Sequence, residues 1–438
     1  MNRLPLTMVC TCDLAGQVRG KGFPAQVLEA HRSKGVGWTP TNSMITCFGQ
    51  IVSTPFGPRN DLMLVPDPAT ETHVDFGDHG PAEHFFLGDI VHTDGKTPWD
   101  LCPRGFLKAA LADLEAKAGL RLVAAFEHEF VYSGQPPRLG DSYGLDGVRL
   151  AGAFPEVFLY ALEMGGVRPE TFLPEYGAGQ FEVTVEPCGG LEAADRAVRL
   201  RELARATAYR LGHRVTFAPI VDRRAVGNGV HIHYSLTDLQ GRPASYDPAR
   251  PFGMSAAIGS FTAGILAHMP ALCAVTAPSV MSYERLVPNR WSAAYTNLGY
   301  RDREAGVRIC PLWEVEGADP ARQFNLEYRA ADAAACPHLA LGMLVRAGLQ
   351  GLVDALPAPE PTRSDPGTLS PEEAARLGIV RLPQSLDEAL QALEADSAAS
   401  GWMPDDLRTA YLMHKRGEIL LLKDFSPDEI VDRYRQAY

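Results

Sequence analysis

Ala125-Phe126-Glu127-His128-Glu129-Phe130 is the stretch on which the reading of this chain turns. Residues two apart share a face of a β-strand, so Glu127 and Glu129 project together. The apolar neighbours argue for a buried strand. Two carboxylates on one buried face repel each other unless cations neutralise them. A pair of Mg²⁺ or Mn²⁺ ions, which take oxygen ligands, meets that need. The competing reading is a half-exposed edge strand whose acids are simply solvated.

Three further segments carry the same kinds of residue. In Pro174-Glu175-Tyr176-Gly177-Ala178-Gly179-Gln180-Phe181-Glu182, two glycines make a turn and Glu182 begins an alternating strand. Glu175 and Glu182 then face each other across the turn, unless the unit is a solvated hairpin. In Gly227-Asn228-Gly229-Val230-His231-Ile232-His233-Tyr234-Ser235, a Gly-rich turn precedes His231, His233 and Ser235 on one face. Neutral imidazole is a common metal ligand and also donates to phosphate, although a lone pair of alternating histidines is a weak signal. Arg285, Arg301, Arg303, Arg308 and Arg329 fall close together in a chain that is acidic overall, and Glu327 and Arg329 share a strand face. Arginine grips carboxylate and phosphate with two parallel hydrogen bonds; a solvated basic surface is the alternative.

Together these pieces say more than any one of them. Glu127, Glu129, Glu175, Glu182, Glu327 and His231 make two sets of three ligands for hard cations, and the arginines supply anion clamps. That combination suits phosphoryl transfer from ATP, in which metals and arginines spread the developing charge. No P-loop, kinase loop or GxGxxG fingerprint is present, so ATP would use an uncommon framework.

The whole chain is consistent with this. Its 438 residues predict two to three domains. Lys plus Arg number 41 against 53 Asp plus Glu, a balance of −12 that argues against a nucleic-acid partner. Apolar residues at 46% and charged residues at 21% are those of a folded globular protein. The eight cysteines form no metal or disulfide spacing and read as buried thiols in a reducing compartment. The start lacks signal-peptide grammar, and the most apolar window, 256–280, is too interrupted for a membrane span. A cytoplasmic protein without a membrane partner is expected.

Short β-prone runs such as Leu6–Cys12 and Met44–Val52 predict a small, mostly β domain ending near residue 100. Pro103–Ala118 predicts a helix stopped by Gly119, and Leu120–Tyr132 a strand. Gly189–Leu211 and Phe252–His268 read as helices, and Val215–Ile220 and Gly229–Ser235 as strands. After an exposed loop beyond Leu356, three helix starts repeat a capping box: Ser370 with Glu373, Ser385 with Glu388 and Ser426 with Glu429. The fold class is α+β.

The chain resembles the glutamine synthetase superfamily over nearly its whole length. The text that carries the resemblance is FEHEF at 126–130, EYGAGQFEV at 175–183, GNGVHIHYSL at 227–236, SYERLVP at 282–288, NLEYRAAD at 325–332 and LPQSLDEALQALEAD at 382–396. The resemblance implies a small N-terminal β-grasp domain over 1–100 and a large catalytic α+β domain over 101–438. It also implies homo-oligomeric rings, commonly a dodecamer of two stacked hexamers, with each site between one catalytic domain and a neighbour's β-grasp domain.

Carried over by residue, it assigns Glu129, Glu175 and Glu182 to one metal, and Glu127, His231 and Glu327 to the other. Arg285 and Arg329 would hold the glutamate α-carboxylate, with the Gly227 backbone at the amino group. His233, Ser235, Arg303 and Arg308 would meet the ATP phosphates and Glu170 the nucleoside, with Arg303, Arg308 and Glu327 as the catalytic group. The implied chemistry converts glutamate to γ-glutamyl phosphate, from which a nitrogen nucleophile displaces phosphate.

The departures bear on which nucleophile. The family's ammonium pocket uses an Asp, a Tyr and a Glu besides a metal-binding glutamate. The comparable positions here are Cys47, Ala153 and Trp291. None supplies an anionic oxygen, whereas Trp291 offers an apolar wall or a cation–π face worth about 0.5–2 kcal/mol. The stretch Asp13 to Lys21 also resembles the γ-glutamylpolyamine and γ-glutamylamide synthetase branch. The leading expectation is therefore an ATP-dependent ligase of glutamate and an amine other than ammonia. An authentic glutamine synthetase and an inactive ring-forming relative are the alternatives, the second opposed by the six retained ligands.

Overall fold

The computed structural model describes residues 3–135 and 140–438. Its N-terminal part is a six-stranded sheet of β1 (Leu6–Cys12), β2 (Val18–Pro24), β3 (Val36–Trp38), β4 (Leu62–Pro66), β5 (Thr72–Val74) and β6 (Glu83–Val91), in the order β2-β1-β6-β4-β3 with β5 beside β6. The run Met44–Val52 is not a strand. Pro40–Met44 is a 3₁₀ turn, and Gly49 at φ 81° reverses the chain so that only Ile45 and Ile51 pair. Proline fixes φ and glycine permits the left-handed turn, and both override local β propensity.

The helix Pro103–Ala118 forms as its text predicts. Cys102 Sγ accepts from Gly105 N at its start, Pro103 takes the first position, and Gly119 at φ 65° ends it. Arg104 on this helix ties the two parts of the molecule together. It binds Asp67 and Asp89 of the first part at 2.8 and 3.1 Å, and Asp195 of the helix Gly190–Arg210 at 2.9 Å.

The larger part is built on a nine-stranded sheet. Its main path is β13 (Leu298–Tyr300), β14 (Val307–Ile309), β15 (Leu326–Ala331), β12 (Val230–Asp238), β7 (Leu120–Tyr132), β9 (Gln180–Val185) and β8 (Pro169–Pro174), with β10 (Cys188–Gly189) and β11 (Val215–Thr216) also on β7. Burial along β7 alternates. Leu122, Ala124, Phe126, His128, Phe130 and Tyr132 are buried, while Glu127 and Glu129 lie on the other, half-buried face. The helices Pro103–Ala118, Gly190–Arg210, Ala256–Thr276 and Pro337–Val353 pack together behind the sheet, leaving the acidic face for a cleft.

Two predicted elements differ in extent. The strand expected over Val215–Ile220 ends at Thr216, since Pro219 and the glycines beyond break the ladder. The helix expected over Phe252–His268 runs instead from Ala256 to Thr276, capped by Ser255, because Phe252 sits at φ 58° outside it. Among the described residues this is the one helix long and apolar enough to cross a membrane, and it is mostly buried in the core. It crosses Pro337–Val353 closely at Gly264 and Gly351: a Cβ on Gly264 would lie 2.1 Å from Ala347 O. Capping boxes close at Ser370 and Ser426, whereas Glu388 bonds Gln384 N rather than Ser385 N, so the middle one is half-made.

Candidate active site

Strand register assembles the site. Glu129 pairs with Glu182 across β7 and β9, and Glu127 with His231 across β7 and β12. His233 pairs with Glu327 across β12 and β15, and Glu327 with Arg308 across β15 and β14. Directly opposed residues on one face stand within side-chain reach, so four pairings lay a diagonal of acids and bases across five strands.

The side chains meet as the register requires. His231 Nδ1 lies 2.7 Å from Glu127 Oε1 and 3.4 Å from Glu327 Oε1, and its Nε2 lies 3.9 Å from Glu129 Oε1. His233 Nε2 lies 3.6 Å from Glu127 Oε2. Glu327 accepts from Arg308 at 2.9 Å and from Arg329. Among the described residues, two groups have ligand atoms gathered within 4.8 Å: Glu127 with Glu182 and His231, and Glu127 with His233 and Glu327. Glu129 instead accepts from Gly229 N at 2.7 Å, and Glu175 from Tyr143 Oη at 2.9 Å.

The electrostatics show what the cluster lacks. Burial, followed by the charges of Glu127, Glu129 and Glu175, pushes the Glu182 carboxyl up to about 10. Burial and Glu129 likewise raise Glu175. Burial opposes ionisation of Glu327 too, but Arg329 and the two histidines overcome it and hold that acid at about 2. Burial would lower His233, yet Cys310 and Glu127 hold it well above its ordinary value. At one end of the cluster Arg308 and Arg329 donate to Glu327, whereas at Glu182 burial and the neighbouring carboxylates prevail. This donor set, carboxylate oxygens with imidazole nitrogen, is that of a hard divalent ion.

Two hollows meet at the cluster. A cavity of about 310 Å³ is lined by Glu129, Glu175, Glu182, His231, Arg285, Arg303 and Arg329, with Tyr143, Tyr176, Arg290 and Trp291 also on its wall. A second, of about 360 Å³, is lined by Glu127, Glu170, His233 and Ser235, with Trp313 and Asn325. Gly227 lines the first, and only glycine fits there: a Cβ would lie 2.4 Å from Pro219 O. Arg285 is buried, its guanidinium donating to Ala331 O at 2.6 Å.

Of the expected acceptor residues, only Trp291 reaches this pocket. It stands at φ 53°, an unusual backbone for a bulky side chain, with its N–H on Glu304 Oε1 at 2.6 Å and its carbonyl accepting from Arg329 at 3.2 Å. Cys47 lies elsewhere in the chain, its thiol against Tyr438 and near Glu418 and Lys415. Ala153 is exposed at the start of the helix Phe154–Met164 and lines neither hollow. Arg301 also stands apart, over the ring of Tyr300.

The matched family models place this geometry. Residues 1–99 match the glutamine synthetase N-terminal domain, and residues 100–434 match the glutamine synthetase catalytic domain. The chain belongs to the glutamine synthetase family. This family member is accordingly an ATP-dependent acid–amine ligase, of a family that uses ATP and divalent metals. It is 35% identical to the gamma-glutamylpolyamine synthetase GlnA3 of Streptomyces coelicolor, over 97% of this chain and 92% of that one. A solved structure described as a novel glutamine synthase homolog superposes with a TM-score of 0.92 at 42% identity, covering 100% of this chain and 99% of that one. A solved complex of GmaS with ADP gives 0.82 at 25% identity, over 97% and 95% of the two chains.

The structure also adds residues that the sequence reading missed. Tyr143 and Arg290 come from irregular segments with no periodic signal. Gln180 had a signal, being in the quoted turn; its amide nitrogen donates to Gly227 O at 3.0 Å and to Asn228 Oδ1 at 2.9 Å. Asn325 lies one residue before β15, two before Glu327, and alternation alone could have found it.

Proposed function

We propose that this chain joins the γ-carboxylate of L-glutamate to an amine other than ammonia, through γ-glutamyl phosphate. The observation that carries this reading is a cation-type carboxylate–imidazole cluster between two hollows, one of which is walled by Trp291, Tyr176 and Tyr143. The name of the Streptomyces relative, a gamma-glutamylpolyamine synthetase, supports it.

In this reading Glu127, Glu129, Glu175, Glu182, His231 and Glu327 would hold two or more Mg²⁺ or Mn²⁺ ions, and His233 faces the ATP phosphates beside them. Bound there, the ions supply positive charge to the triphosphate. Arg285 and Arg329 orient the glutamate α-carboxylate and the Gly227 backbone receives its amino group. Ser235 meets the ATP phosphates and Glu170 the nucleoside in the second hollow. The γ-carboxylate oxygen attacks the terminal phosphorus and ADP leaves, while Arg303 and Arg308 spread the charge on the phosphoryl oxygens. The amine nitrogen then attacks the γ-carbonyl carbon; phosphate leaves, and the nitrogen gives up a proton. Trp291 contributes apolar wall where an ammonium site needs an anion.

The family resemblance supports a homo-oligomer in which a neighbour's β-grasp domain completes each site. Eight free cysteines support a reducing, cytoplasmic setting. The test is phosphate release from ATP with glutamate and Mg²⁺, using ammonium or one of a panel of alkyl, aromatic, hydroxyalkyl and polyamine acceptors. Faster release with several amines is expected. Preference for ammonium across the panel would return the chain to authentic glutamine synthesis.

A further inference from the structure

The cavity of about 310 Å³ has more on its wall than glutamate, phosphate and metal account for. Its three acids, Glu129, Glu175 and Glu182, all belong to the proposed cation cluster. Of its arginines, Arg285 and Arg329 serve the glutamate α-carboxylate and Arg303 the phosphoryl oxygens in the same reading. Arg290, Trp291, Tyr176 and Tyr143 are left over. Tyr143 donates its hydroxyl to Glu175 Oε2 at 2.9 Å. Tyr176 and Trp291 stand side by side, with ring centroids 6.2 Å apart and planes tilted by 31°. They are 62% and 56% exposed, an open aromatic surface beside the acids. Such a surface suits either an apolar ring or a cation over its face. Arg290 decides between the two.

Arg290 donates from Nη1 to Ala225 O at 2.9 Å and from Nη2 to Arg223 O at 3.0 Å. Carbonyl partners orient a guanidinium but leave its positive charge in place. The acids close to it and to its partners along the chain are engaged elsewhere: Glu284 with Arg223 at 3.0 Å, Asp222 with Arg224 at 3.2 Å, and Glu304 with the N–H groups of Asn289 and Trp291. Beyond the cation cluster the wall therefore combines aromatic rings with a positive charge. A second ammonium on the acceptor would meet that charge in a cleft where water screens it poorly. We infer that the acceptor is an arylalkyl monoamine: its one amino group reaches the γ-carbonyl beside Glu129, Glu175 and Glu182, its ring lies against Tyr176 and Trp291, and Arg290 turns polyamines away. This rests on the amine-ligase reading above and narrows its acceptor. The C–N bond to the γ-carbon forms, the C–O bond to phosphate breaks, and the nitrogen releases a proton to solvent, leaving an N-arylalkyl γ-glutamylamide.

The experiment is phosphate release by the full chain with glutamate, ATP and Mg²⁺, and with 2-phenylethylamine, hexylamine, putrescine or ammonium as acceptor. In the parent, kcat/KM for 2-phenylethylamine should exceed that for putrescine by about tenfold or more, with hexylamine between them. Trp291→Leu and Tyr176→Ala should each lower kcat/KM for 2-phenylethylamine by about tenfold, while kcat/KM for putrescine and KM for glutamate stay within about threefold of the parent. Arg290→Glu should raise putrescine use relative to 2-phenylethylamine by about tenfold. A parent that prefers putrescine, or that uses hexylamine as well as 2-phenylethylamine, overturns the proposal. An unchanged ratio in Arg290→Glu does the same. Equal losses for every acceptor in both ring variants also overturn it, by showing that the rings support the fold or a neighbouring subunit rather than the substrate. A parent that releases phosphate with ammonium alone defeats the amine-ligase reading itself, a result distinct from these.

Discussion

Replacing Glu182 with Gln should flatten the pH dependence of the metal-free protein's stability. Glu182 is pushed up to about 10 from an ordinary 4.5, first by burial and then by three neighbouring carboxylates. Between those values the folded chain keeps a proton that the unfolded chain has released, so stability falls as pH rises. A single fully shifted group contributes a slope of about 1.4 kcal/mol per pH unit. From about pH 6 to about pH 8 that is roughly 2.7 kcal/mol, reduced to about half where water enters the cleft. His233, held above its ordinary value, acts in the same direction as pH rises above about 6.5. Glu127 and Glu327 are held low and act oppositely, but only below the ordinary carboxylate value, so they are silent in this window. The assay is urea unfolding of chelator-treated protein across that range, with and without Mn²⁺. The parent should lose stability with rising pH and recover it with Mn²⁺, and Glu182→Gln should do less of both. A parent profile that is flat or rising without metal, or a variant with the parent's slope, would refute the account of the cluster as a site short of cations.

Three further outcomes are expected. Glu327→Ala removes the shared partner of Arg308, Arg329 and the histidines; ATP turnover should fall by about 10²-fold or more in a phosphate-release assay. Trp291→Glu should shift the ratio of ammonium to amine use toward ammonium by about tenfold, or ~1.4 kcal/mol; an unchanged ratio would remove position 291 from acceptor choice. Arg104→Ala leaves Asp195 buried with one partner fewer and should cost about 3–5 kcal/mol in urea unfolding.

The fold was most legible where one residue's neighbours along the chain decide its state. Pro103 to Gly119 carries its own start, face and stop, and β7 carries its alternation, so both form with the predicted limits. Met44–Val52 was misread because the turn depends on Pro40 and Gly49, which outweigh the β-prone residues between them. The six proposed ligands were legible as residues but not as groups. Alternation says that Glu127 and Glu129 share a face; only register says that Glu127 faces His231 while Glu129 faces Glu182. The family-derived partition put Glu129, Glu175 and Glu182 on one ion. The geometry of the chain gathers Glu127 into both groups and ties Glu129 to Gly229 and Glu175 to Tyr143.

The acceptor side was less legible for a different physical reason. A carboxylate cluster announces itself, because acids on a half-buried face need compensation wherever they occur. An apolar acceptor wall has no comparable cost, so Trp291 and Tyr176, with ring centroids 6.2 Å apart, look like any aromatic pair. What distinguishes Trp291 is how it is held. Its left-handed backbone is unfavourable for a bulky residue, and Glu304 offsets this by accepting from Asn289 N at 2.9 Å and Trp291 N at 2.6 Å. Its carbonyl in turn accepts from Arg329, whose guanidinium also binds Glu327. The aromatic wall is therefore attached through its main chain to the arginine proposed to hold glutamate and to the acid proposed to hold metal. In the proposed reading, acceptor choice and the phosphoryl-transfer cluster are linked through this chain of hydrogen bonds, and a change at residue 291 that alters its backbone should affect both, whereas a change confined to the ring should affect only the amine.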